Sequence, residues 1–231
     1  MVSSSLYLFI FGISLGRNIG SMHNVSYLEF LIPGLVMMGV INNAYLNNAS
    51  TLVLSKHFGD IEDLKISPLT PFEIISALSL ASTVRAFLVA FSIFFISEIF
   101  VILYQHSFFI PKHFVFMFFY LFCASFTFGL LGISVGLYSK SFESLNAISQ
   151  FILLPLIYLG GIFFPLDLLP PTWQKIAQLN PMFYYIDGVR YTFLGQSNIS
   201  LLPSIIVVLL FFLFMATLAY QFVKRASFRR I

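Results

Sequence analysis

The sequence predicts an all-α integral membrane protein with about six transmembrane helices and a short re-entrant or interfacial helical element between the last two. Three observations carry that prediction. Hydrophobic residues make up 59% of the chain and charged residues 9%, against roughly a quarter charged in an ordinary soluble domain. The mean hydropathy is +0.94. The apolar residues also gather into runs of the length, about 20 residues, that a helix needs to cross the hydrocarbon core. The 231 residues make one membrane domain, 1–231, with no room for a soluble domain beside it.

Six runs meet the length criterion: Val2–Ile19, Leu28–Leu54, Ile74–Leu103, Phe114–Tyr138, Ala147–Phe164 and Leu201–Val223. The first begins almost at Met1, and no basic region precedes it as a secretory signal would require. Orientation follows from Lys and Arg in the short loops. With the C-terminus inside, Lys56, Lys65, Arg85, Lys140, Lys224, Arg225, Arg229 and Arg230 are cytoplasmic, while Arg17, Lys112, Lys175 and Arg190 lie outside. Eight against four favours this orientation, and an even number of spans places the N-terminus inside as well. The basic tail KRASFRRI flanks the last span and is also suited to anionic headgroups.

The loop Lys56–Glu73 reads KHFGDIEDLKISPLTPFE. Asp60 is placed to cap a short helix Ile61–Ile66, which Pro68 ends. That helix sets Ile61, Leu64 and Ile66 among Asp60, Glu62, Asp63 and Lys65, a surface suited to another protein's groove. The stretch Gly160–Gly195 is different: Pro165, Pro170, Pro171 and Pro181 interrupt any long helix. They leave two short amphipathic pieces, Pro171–Leu179 and Met182–Leu194. Trp173, Tyr184, Tyr185 and Tyr191 suit a water–lipid boundary, and Asp187 and Arg190 are spaced to pair.

The sequences GGIFFPLDLLPPTWQKIAQLNP and YYIDGVRYTFLG resemble the last extracytoplasmic segment of the ABC-2-type permeases, the membrane subunits of ATP-driven exporters. RNIGSMHNVSYLEFLIPGLVMMGVINNAY and DIEDLKISPLTPFEII resemble the first half of the same family, so the likeness covers nearly the whole chain in order. The resemblance implies a permease homodimer in a bacterial inner membrane, working with a separate ATP-binding subunit that holds ATP and Mg. It makes Asp60, Ile61, Glu62, Asp63, Leu64 and Lys65 a coupling helix that seats on that subunit. It assigns Gly160, Gly161, Pro165, Trp173, Asn180, Pro181, Asp187, Arg190 and Gly195 to the outer element that gates or lines the path. The family usually opens on a basic interfacial helix, and none precedes the first span here.

Polar residues at membrane depth each raise a functional question. Asn42, Asn43, Asn47, Asn48 and Ser50 lie in the inner half of the second span; Asn43, Asn47 and Ser50, at four- and three-residue steps, share one face. That face serves either hydrogen bonds between helices or a polar wall along a translocation path. Arg85 is close enough to the inner surface to snorkel. Glu98 lies about 20 Å further along the same helix and is protonated, paired with another helix, or wet. Gly12 with Gly16, and Gly132 with Gly136, have the spacing that lets helix backbones approach closely. The same stretches, GISLG and GISVG, match the G-x-S-x-G pattern of serine hydrolases. However, the last two spans hold no histidine to serve as base.

Absences narrow the function further. No Gly-Lys pair of a phosphate-binding loop, no H-E-x-x-H and no Cys/His cluster with metal spacing occurs, and Cys123 is a lone cysteine in an apolar run. The chain is therefore read as a non-enzymatic transporter subunit that binds no cofactor, no metal and no nucleic acid. Its expected partners are the ATPase, a second copy of itself and membrane lipid. The competing class is an ATPase-independent carrier or assembly scaffold, which would require a paired ionisable site at mid-membrane.

Overall fold

The computed structural model describes residues 6–15, 21–22, 25–61 and 68–228. The described residues are mostly helical, with one two-residue antiparallel pairing of Ser21–Met22 with Val25–Ser26. Among the described residues, five helices are long and apolar enough to cross a membrane. We label them α1 (Tyr27–Phe58), α2 (Pro71–Gln105), α3 (Phe114–Tyr138) and α4 (Phe142–Leu159), with α5 (Pro171–Leu179) and α6 (Pro181–Leu194) preceding the fifth, α7 (Leu201–Phe228). Of the expected first span, residues 6–15 are described, and Leu8–Leu15 form a π-helix there.

Local chemistry sets the helix ends. Ser26 caps α1, accepting from Leu28 N at 3.3 Å, while Glu29 Oε2 accepts from Ser26 N in a reciprocal capping box. Gly59 ends the helix with φ +86°, a left-handed turn open to glycine. Thr70 and Glu73 form the same box at the start of α2, with Pro71 in the first turn, where its missing N–H costs nothing. Within α4, Pro155 removes one backbone donor, and the turn before it, Ser149–Leu153, widens to a π-helix.

The axis of the bundle is α1. The apolar window of α1 is 78% buried within the protein, against 17% for α7, so α1 is a core helix and α7 a wall facing lipid. Close approach of α3 secures it. A Cβ on Gly132 would lie 2.3 Å from Tyr45 O, and one on Gly136 would lie 3.0 Å from the Ala49 backbone. One turn away, Asn48 is buried and its Nδ2 donates to Ser82 Oγ of α2 at 3.1 Å and to Gly129 O of α3 at 3.0 Å. At the end of the bundle that carries the 56–73 loop, Lys56 Nζ donates to Gly136 O (2.8 Å) and Ser139 O (2.9 Å), neutralising the carbonyl end of α3. Gly12 also packs tightly, since a Cβ there would lie 2.4 Å from a Leu28 methyl; Gly16 lies outside the described residues.

α6 is buried within the protein. Eleven of its 14 residues are buried, and it packs against α1, α3 and α7. Tyr185, expected at the lipid boundary, is fully buried, and its hydroxyl lies 3.0 Å from Thr127 Oγ1 of α3. The physical reason is Gly188: without a side chain it lets the Tyr120 ring sit where a Cβ would be, 2.2 Å away. α5, with Trp173 half exposed, remains the surface piece.

Gly132→Val inserts atoms against the α1 backbone, which no rotamer change can relieve. Destabilisation of about 1–3 kcal/mol is expected, read as a lowered thermal midpoint in detergent. Phe95→Leu, on a lipid-facing position, is the control and should leave the midpoint in place.

Candidate functional site

The lock between α1 and α3 fixes which face of α1 is left over. Tyr45, Asn48, Ala49 and Leu52 are turned to the partner helices; Asn43, Asn47 and Ser50 line a cleft of about 920 Å³. Asn42 joins them, with α4 supplying Asn146, Ser149 and Gln150 from the opposite wall. Two of those three, Ser149 and Gln150, come from the π-turn, which swings their side chains out of the regular helical register. Met38, Leu46, Val89 and Ile93 make an apolar stretch beside the amides, and Tyr7 from the N-terminal segment adds a phenol, 2.9 Å from Tyr158 OH. No Asp, Glu, Lys, Arg or His is among the described residues that line it.

The amides differ in how far they are satisfied. Asn42 donates to Met38 O at 3.2 Å and accepts from Ser149 Oγ at 3.3 Å, bridging the two walls. Asn47 Oδ1 accepts from Arg85 Nη1 of α2. Arg85 therefore ends on the rim of the cleft, held by the Asn47 amide. Ser50 Oγ is turned to its own helix, donating to Asn47 O at 3.1 Å. Asn43 Oδ1 is shut off from solvent with no partner. Such an orphan costs about 1–3 kcal/mol.

At the other end of the bundle the 160–195 element is held by buried polar links. Asp187 and Arg190, spaced to pair, do not. Asp187 accepts from Asn198 N (3.1 Å), Asn198 Nδ2 (2.7 Å) and Ile199 N (3.3 Å), fixing the loop into α7. Arg190 donates through Nη2 to Gly161 O at 2.6 Å and lies over the Phe30 ring at 4.0 Å. Burial pushes its guanidinium down to about 10, against the pull of Asp187 and Asp167, so it stays charged at neutral pH. Gly161 carries the turn after α4 at φ +87°, and Gly160 packs on Ile186. Asn180 caps α6, accepting from Met182 N at 3.0 Å and donating to Leu156 O of α4. Pro181 opens the first turn of α6, and Pro165 is buried beside Arg190. Gly195 ends α6 at φ +75°, where Lys112 Nζ donates to Leu194 O at 2.7 Å.

Of the predicted coupling helix, Asp60 and Ile61 are described, in a helical turn after Gly59; Glu62, Asp63, Leu64 and Lys65 lie outside the described residues. Glu98 closes over its own helix end, its Oε1 accepting from Phe109 N at 2.9 Å. Among the described residues no cluster of three or more His, Cys, Asp or Glu side chains is arranged to hold a metal ion. The sequence signal for the second wall was Pro155, which announces an irregular turn in α4 without saying where it faces.

Comparison with known proteins agrees with this architecture. The sequence profile of the family described as ABC-2 type transporter matches residues 1–194. The inner membrane transport permease YadH of Escherichia coli (strain K12) is 36% identical over 225 residues, covering 97% of this chain and 86% of the relative. Nodulation protein J of Rhizobium leguminosarum bv. viciae is 25% identical over 201 residues, covering 83% of this chain and 72% of the relative. The chain belongs to the ABC-2 type transporter family.

The two kinds of asparagine on α1 separate by experiment. Asn48→Ala removes the bonds to Ser82 and Gly129 and should cost about 1–3 kcal/mol. Asn43→Ala removes no bond and relieves the orphan, so it should lose no stability and gain up to about 1–3 kcal/mol. Thermal midpoints of the two variants in one detergent decide it; a loss at Asn43 equal to that at Asn48 would make the cleft face structural.

Proposed function

We propose that this ABC-2 permease is the membrane subunit of an exporter in a bacterial inner membrane, acting as a homodimer with a separate ATP-binding subunit. The observation that carries the reading is the uncharged amide-lined cleft between helices of membrane length, in a chain with no nucleotide-binding motif. The cleft is the cargo path, and the energy comes from ATP and Mg held by the partner. The drug, lipid and polysaccharide classes all fit a permease of this kind.

In this reading the end carrying Lys56 and Lys140 faces the cytoplasm, as do both termini, and the 160–195 element faces outward. The loop at 60–65 seats on the ATPase. α1 runs unbroken from the cleft to that loop: from Ser50 to Gly59 is about 14 Å of continuous helix. Lys56 ties the same stretch to the end of α3. A push on the loop therefore moves α1 and α3 together and reaches Asn43, Asn47 and Ser50 through rigid backbone. At the far end, α6 is wedged among α1, α3 and α7, where such a tilt would shift it and open the outer mouth.

The test is co-purification in mild detergent with a candidate ATP-binding subunit, for wild type and for Ile61→Asp/Leu64→Asp. Wild type should bring the ATPase down, and the double variant should lose it while still inserting in the membrane. A well-folded wild type that retains no ATPase would overturn the exporter reading.

A further inference from the structure

We infer that a groove bounded by α3, α4 and α7 binds one anionic glycerophospholipid, an acyl chain along its walls and the phosphate at Lys140 and Arg225. The groove is separate from the amide cleft. Ser141, Ser144 and Ile148 turn one face of α4 to it, while Leu145, Asn146 and Ser149 turn another to the cleft. Its volume is about 660 Å³, within the roughly 300–1,000 Å³ of ligand pockets. The walls are helical stripes. Leu131, Val135 and Tyr138 follow at steps of four and three on α3, and Leu218 and Phe222 at a step of four on α7. From Leu131 to Tyr138 the stripe runs about 10 Å, and there the Phe222 ring meets Tyr138 edge-on at 5.0 Å. Two of the three walls belong to the spans least buried within the protein, 22% for α4 and 17% for α7. The groove therefore opens sideways onto the bilayer, where acyl chains are the neighbours.

Charge chooses among the lipids. The groove ends at the turn between α3 and α4, and Lys140 lines it there. Arg225 continues the α7 stripe, three residues past Phe222 and seven past Leu218, and so lies over the same end. Both side chains are exposed, and neither has a hydrogen bond or ion pair among the described residues. Lys56 adds a third positive charge behind the turn, its Nζ donating to Ser139 O at 2.9 Å. The one acidic residue of the 139–146 segment, Glu143, stands outside the lining and accepts from the Ser141 hydroxyl. Exposed cations at the end of an apolar groove match a molecule with one chain-bearing half and one anionic half. In the orientation proposed above, that end lies at the cytoplasmic leaflet. A second copy of this chain matches less well, because a two-fold contact presents the same basic patch from both sides.

The experiment titrates the delipidated permease in detergent with phosphatidylglycerol, with phosphatidylcholine of the same chains, and with glycerol 3-phosphate. Bound lipid is counted by native mass spectrometry. Phosphatidylglycerol should saturate at one per chain and bind at least ten-fold tighter than phosphatidylcholine, since each basic residue near the surface contributes about five-fold. Glycerol 3-phosphate, an anion without a chain, should not bind. Lys140→Gln/Arg225→Gln should weaken phosphatidylglycerol ten-fold or more and leave phosphatidylcholine as it was. Arg229→Gln/Arg230→Gln, which removes the same net charge, should change it less than three-fold. Leu218→Trp, which fills the groove, should weaken phosphatidylglycerol ten-fold; if that variant fails to fold, Ile148→Phe takes its place. Equal binding of the two lipids, an equal loss in both charge variants, or no loss in either would overturn the inference. So would groove substitutions that break a dimer and leave the lipid count unchanged, which would make a second copy the occupant. The assay contains neither ATPase nor cargo, so failure of the exporter reading leaves its result untouched.

Discussion

The contact between the α1 and α3 backbones is what the rest of the molecule depends on. Gly132 and Gly136 let α3 come so near that a single added carbon would meet Tyr45 O and Ala49. Inside lipid there is no water–oil difference between a helix in the bundle and one outside it, so association must come from close packing and hydrogen bonds. The glycine seam supplies the first and Asn48, bridging α2 and α3, supplies the second. Together they fix the rotation of α1 about its axis. Once that rotation is fixed, Asn43 and Asn47 have nowhere to go but into the cleft.

The same constraint explains why two sets of polar groups on neighbouring turns behave so differently. A polar side chain in hydrocarbon is tolerated when it finds a partner, and most here do: Asn48, Thr127 with Tyr185, Tyr45 with Leu145 O at 3.2 Å, and Tyr120 with Ser204 at 3.0 Å. Each of these joins two helices. Asn43 joins nothing. Among the described residues, Asn43 Oδ1 is one of four buried side-chain atoms without a partner, with Ser79 Oγ, Glu98 Oε2 and Arg190 Nε, and of the four it is the one that lines the cleft.

Much of the fold was legible in the sequence because its signal is local and strong. The apolar runs announce their own length, and the five spans that are described begin and end within a few residues of turn and capping signals such as Ser26, Thr70 and Gly59. The step of four and three residues from Asn43 to Asn47 to Ser50 is likewise readable, since helical geometry alone puts them together. The second wall is not, because Ser149 and Gln150 stand about a hundred residues away on a π-turn that no spacing rule anticipates. The short α6 shows the opposite failure. Its tyrosines and its charged pair look interfacial, yet burial was decided by Gly188 and by distant partners: Phe30 and Gly161 for Arg190, and Asn198 for Asp187. Helical spacing finds neighbours on one helix; it is blind to a better partner elsewhere in the chain.

Arg190 shows how the 160–195 end of the bundle is held. A guanidinium with 3% of its surface exposed is kept charged by the groups that stand in for water, although its Nε finds no partner. Here the Gly161 carbonyl takes one edge and the Phe30 ring takes a face. Those two partners belong to the turn after α4 and to the first helical turns of α1, the two helices that form the walls of the cleft. Arg190 thus clamps both walls at one end while Lys56 fixes α1 to α3 at the other. Motion confined between two such clamps is a tilt of whole helices rather than a local loosening. In the proposed reading, a path that opens by tilting needs a lining that tolerates sliding contacts. Amides and hydroxyls, which can exchange one partner for another without stranding a charge, provide such a lining.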